Sequence, residues 1–149
     1  MTFREKLRRL QDEDGSAVIE FLGLAFVLLI PLVYLVIAFF QIQGAAFAAE
    51  GAARDAGRLM AAGRDELVGR QAAAMAIEIA FDDAGITADP VVSIACGASP
   101  CLTGGATIQV IVSTEVPLPL IPLGVVDALG ATVPVEGTAV HVVDRFVDR

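Results

Sequence analysis

The sequence predicts an α+β protein: a long N-terminal transmembrane helix extended outward as a rod, then a small outer domain of one further helix and about three antiparallel strands. Three observations carry this reading. Residues 21–40 hold fifteen Leu, Ile, Val or Phe and no charge. An Ala-rich, Pro-free stretch follows directly and runs to residue 62. After residue 90 the texture changes to short β-like runs punctuated by Gly, Pro and Cys. The chain divides accordingly into a head (1–15), a transmembrane helix with its extension (16–62) and a small α+β domain (63–149).

The span is set by length and hydrophobicity. At 1.5 Å per residue, twenty helical residues cover about 30 Å, the thickness of a bilayer's hydrocarbon core. On an insertion scale of roughly −0.3 to −0.6 kcal/mol for each of the fifteen large apolar residues, the run sums to about −5 to −9 kcal/mol. Pro31 lies inside it and removes one backbone hydrogen bond; neighbouring groups can satisfy the freed carbonyl, so a kink is expected rather than a break. Arg4, Lys6, Arg8 and Arg9 precede the span, whereas the first twenty residues after it carry only Arg54 and Arg58. That bias orients the N-terminus to the cytoplasm and the C-terminal domain to the extracytoplasmic side.

Composition bounds the rest. A chain of 149 residues has room for one span and one small core. Its net charge is −8, and no basic patch lies downstream of residue 50, which argues against a nucleic-acid partner. Nine of the ten basic residues are Arg and Asn is absent, a composition typical of a GC-rich bacterial genome.

Beyond residue 40, Glu50, Arg54 and Arg58 recur on one helical face while Ala45, Ala49, Ala52, Ala56 and Leu59 lie towards another. Asp65 is placed to cap a second helix over 66–81, in which Val68, Ala72, Met75 and Ile79 form an apolar stripe. Asp82-Asp83-Ala84-Gly85 supplies a stop. Strands are predicted over 91–95, 107–116 and 138–143, the second with Ile108, Val110, Val112 and Val116 on one face and Gln109, Ser113 and Glu115 on the other. The segment VPLPLIPLG (116–124) has three prolines and cannot be a central strand.

The segment carrying most mechanism is GSAVIEF, residues 15–21. A carboxylate at the edge of the hydrocarbon costs free energy unless hydrated or paired, so Glu20 at the mouth of the apolar helix needs a reason. The plain one is that Glu20 marks where the helix meets water and Gly15 ends the head. The other is a likeness. A Gly before a cut, a Glu fifth after it and then an apolar helix resemble the substrate of a type IV prepilin peptidase. GSAVIEF, the proline-interrupted apolar run and AAFAAEGAARDAGRL together resemble the TadE-like pilus assembly proteins, minor pilin-like or pseudopilin-like subunits of Flp (tight-adherence) pili. The likeness covers about residues 15–60, and Pro31 stands further into the helix than in the commonest members.

That resemblance implies roles. Gly15 would precede the scissile bond, and cleavage would free the α-amino group of Ser16. Glu20 would offer its carboxylate to such an amine on its own or a neighbouring subunit, with Phe21 as the adjoining aromatic. The implied partners are the lipid bilayer, a prepilin peptidase, other pilin-like subunits and tight-adherence assembly proteins, all at the bacterial cytoplasmic membrane.

Cys96 and Cys101 flank a short Gly-Ala-Ser-Pro loop and, in this orientation, lie where disulfides form. A disulfide is the expectation; two free thiols and a metal pair are the alternatives, although a zinc site usually takes four ligands. His141 alternates with Val140 and Val142 and reads as a sheet-face residue. No catalytic residue, metal or cofactor site can be argued, because no Ser-His-Asp set, phosphate loop or paired-carboxylate site is present. The rival readings are a secreted binding domain with a cleavable signal peptide, for which Ala46-Phe47-Ala48 supplies an A-x-A site, and a membrane-anchored enzyme.

Overall fold

In the computed structural model the described residues are 3–119 and 129–146, with side chains from residue 17 onward. The elements are α1 (Phe3–Ala62), α2 (Glu66–Asp83), β1 (Val91–Cys96), β2 (Thr107–Pro117) and β3 (Thr132–Val142). The strands form one antiparallel sheet in the order β1-β2-β3. The fold is α+β. Contacts group the chain into two units, Met1–Ala38 and Phe39–Arg149.

The first unit is the apolar part of α1 with the segment before it. From Val18 to Ile37 every Val, Leu, Ile and Phe is exposed. α1 is long and apolar enough to cross a membrane, and Pro31 lies within it without ending it.

The second unit has a core of its own, to which the last third of α1 contributes. Ala45, Ala49, Ala52, Ala53, Ala56 and Met60 are buried there together with Ile108, Val110, Val112 and Val116 of β2 and Val135 and Ala139 of β3. Small side chains on the helix let its backbone come close to the sheet, as where Gly137 of β3 meets Ala49. The face of β2 expected to be apolar is the buried one, with Thr114 added to it.

α2 begins at its expected cap. The Asp65 side chain accepts a hydrogen bond from the Val68 N–H at 2.9 Å, satisfying one of the donors a helix start leaves free. The helix ends two residues beyond the expected span, and Gly85 follows with φ of 67°. The stripe read from the sequence is not its buried face. Gly69, Ala73, Ile77 and Phe81 are buried instead, because Gly69 lets α2 pack directly on Met60 of α1. Val68, Met75 and Ile79 are left exposed.

β3 starts six residues before the expected position, at Thr132 rather than 138, and runs through Pro134. Alternation within the ladder explains how. The bonds from β2 to β3 fall on even-numbered residues of β2, as in Leu118 N–H to Ala131 O and Val143 N–H to Ala106 O. Pro134 pairs with Glu115, so its nitrogen points away from β2 and no ladder bond is lost. Pro117 uses the same parity at the end of β2: its nitrogen faces the side of β1, which stops pairing at Val91–Ser113. Of the proline-rich segment, residues 120–124 lie outside the described residues.

Candidate functional site

The residues singled out in the N-terminal segment all fall within α1. The backbones of Gly15 and Ser16 are helical, and their side chains lie outside those described. Glu20 and Phe21 are exposed. Glu20 makes no ion pair or hydrogen bond among the described residues. Five helical positions separate Ser16 from Phe21, so backbone bonding along α1 fixes this segment and no tertiary contact is needed to hold it.

Cys96 and Cys101 are joined in a disulfide with Cα atoms 5.2 Å apart. The bond sits at the point where β1 leaves the sheet: Cys96 pairs with Ile108, and Cys101 is buried in the core cluster. The connection is tied further by Gly97 N–H to Thr107 O at 2.8 Å and by the Thr103 hydroxyl to Pro100 O at 2.6 Å. Burial of Cys101 makes the bridge part of the core as well as a clasp on the loop.

His141 lies on the helix-facing side of the sheet opposite Ile108. Its ring edge rests on Gly57 of α1, where an added Cβ would come within 2.5 Å of Cδ2. The ring therefore spaces the end of β3 from the helix. Val140 and Val142 face outward and are exposed.

Glu50 and Arg54 form an exposed ion pair at 3.0 Å, and Arg58 pairs with Asp55 at 3.1 Å. These same-helix pairs contribute about 0.3–0.5 kcal/mol each and leave Arg54 and Arg58 occupied. A third such pair joins Arg70 to Glu66 at 2.8 Å.

Hollows open among the described residues of the second unit. One lies between α1 and the α2–β1 connection, lined by Phe40, Gln41, Gly44, Ile86 and Pro117, and the Gln41 amide donates across it to Pro117 O at 3.3 Å. Another lies where β1 begins, against Asp89, Ser113, Thr114 and Glu115. Thr114 Oγ1 is buried without a hydrogen-bond partner among the described residues, a feature the strand pattern gave no reason to expect. In the second, the Ser113 hydroxyl donates to Val91 O at 3.5 Å and the Glu115 carboxylate accepts from the Thr132 hydroxyl at 2.9 Å.

No family model, curated protein or solved structure matches this chain.

Proposed function

We propose that the protein is a pilin-like, non-enzymatic subunit or assembly factor of a tight-adherence pilus or a related secretion apparatus, held in the cytoplasmic membrane by α1 and processed by a prepilin peptidase between Gly15 and Ser16. The observation that carries the proposal is the GSAVIEF motif opening a run of α1 whose large apolar side chains are all exposed from Val18 to Ile37. Left in water, those fifteen side chains would forfeit on the order of 10–25 kcal/mol of burial. Lipid and neighbouring helices are the environments that recover it.

Within that environment Glu20 has a role that its isolation in a single chain leaves open. A carboxylate among lipid-facing residues is costly unless a cation meets it. The amine freed at Ser16, on the same or an adjacent subunit, is such a cation, and the pairing sets the axial register between helices.

The signal-peptide reading fares worse against the packing. A cut after Ala48 would detach Ala45 from the core and leave Ala49 as a new terminus. Ala49 is the residue whose backbone meets Gly137. Retention of α1 through this region is what that packing supports.

Intact-mass measurement of the protein from cells with an active prepilin peptidase tests the proposal. The expected mass lacks the fifteen-residue head, and replacing Gly15 with a bulky residue restores full length. A full-length mass beside a working peptidase removes the processing claim; a mature chain starting at Ala49 supports the secreted alternative.

A further inference from the structure

The exposed stripe of α2 is apolar where a surface helix is ordinarily polar. Val68, Met75 and Ile79 are 44%, 63% and 56% exposed, with Ala72 between them and Leu67 nearby at 67%. Across the twelve residues from Val68 to Ile79 the stripe runs about 17 Å, long enough for three turns of a second helix.

Its electrostatic setting is one-sided. At 100° per residue, Glu78 and Asp82 fall on one flank of Ile79 and Asp83 on the other. None of these three carboxylates has an ion-pair partner among the described residues. Asp82 and Asp83 also occupy the last turn of α2, where no basic residue stands. The helix dipole already presents negative charge there, so the carboxylates add to it rather than offset it.

We propose that this face of α2 docks a basic amphipathic helix of a partner protein, whose apolar ridge covers Val68, Met75 and Ile79 and whose Lys or Arg side chains meet Glu78, Asp82 and Asp83. A second α2 packed parallel would bring the same carboxylates against these, one packed antiparallel offers only Arg64 beside the acids Asp65 and Glu66, and an anionic lipid surface would repel them. A cationic helix satisfies the stripe and the charge together. This inference rests on the second unit alone and is independent of how the N-terminus is processed.

The test uses the full-length chain in its native membrane, with p-benzoylphenylalanine at the exposed position Gln71 and, as control, at Thr138 on the outer sheet face. Photo-cross-linked peptides are identified by mass spectrometry. The expected adduct, seen from Gln71 and not from Thr138, is a peptide of another protein with Lys or Arg flanking apolar residues at helical spacing. Its yield should fall roughly tenfold in about 1 M salt, where the Debye length is about 3 Å. Met75→Glu with Ile79→Glu should abolish it. So should Asp82→Lys with Asp83→Lys, while an intact disulfide and unchanged far-ultraviolet circular dichroism report a preserved fold. An adduct to a second copy of this chain, to lipid, or to a partner peptide lacking basic residues overturns the proposal. The absence of any Gln71-specific adduct also overturns it.

Discussion

Gly137 of β3 and Ala49 of α1 meet backbone to backbone: a Cβ built on Gly137 would overlap the carbonyl group of Ala49 and the nitrogen of Glu50. Backbone cannot rotate out of the way as a side chain can, so the contact fixes how closely the sheet approaches the helix.

Gly137→Val should therefore destabilise the second unit by about 3 kcal/mol, the upper part of the range for overpacking a core. Gly51→Ala on the same helix, where nothing lies within 4 Å of the added Cβ, should be neutral or stabilise by about 0.5–1 kcal/mol. Thermal unfolding of the full chain in detergent, followed by circular dichroism, separates the two. Equal midpoints for both variants would contradict the packing described.

The Cys96–Cys101 bridge closes a short loop, and its removal should cost an amount in the lower part of the ~2–4 kcal/mol range. Amide exchange in Cys96→Ala/Cys101→Ala should quicken mainly between residues 97 and 106. Alkylation of the membrane-isolated wild type without reduction should label neither residue. Quantitative labelling of both would show that the bridge does not form in the cell.

Asp65→Ala removes the oxygen that accepts from Val68 N–H and should cost about 1 kcal/mol. Asp65→Asn keeps an acceptor and should recover most of that loss. The readout is amide exchange over the first turn of α2; identical exchange in Asp65→Ala and wild type would mean the cap contributes nothing.

Glu20→Gln distinguishes a pairing carboxylate from an interfacial marker. The amide keeps size and polarity, so a marker would be nearly silent. Loss of one member of a buried ion pair costs on the order of 3–5 kcal/mol, against ~1 kcal/mol or less for an exposed one. Pilus-system partners should therefore co-purify far less with the variant, while membrane insertion and head removal continue. Undiminished co-purification would return Glu20 to the interfacial role.

Local signals made much of this fold legible. Asp65 announced α2 through its side chain, and the alternation from Ile108 to Val116 announced the buried face of β2. Two features were not legible because they depend on distant partners. Hydrophobicity along α2 favours Val68, Met75 and Ile79, yet the helix turns Gly69, Ala73 and Ile77 inward, since these shapes fit Met60 and the alanines of α1. Pro134 reads as a strand breaker until its pairing with Glu115 shows its nitrogen aimed away from the ladder. The N-terminal site differs again. Gly15, Ser16 and Glu20 rest on the motif alone, since the work proposed for them lies between chains and Glu20 makes no ion pair among the described residues.

Pro117 and Pro134 sit side by side in the register at one corner of the sheet, offset by two residues. Each aims its nitrogen off the β2–β3 ladder, Pro117 towards the side where β1 has stopped pairing and Pro134 towards the outside of β3. A stray strand arriving at that corner from either direction would find its own carbonyl without a donor. An exposed strand edge is a template on which another chain can pair, and proline on an edge is one way proteins blunt it. The two prolines thus guard against aggregation at the one corner where β2 and β3 outrun β1, at no cost to the native ladder.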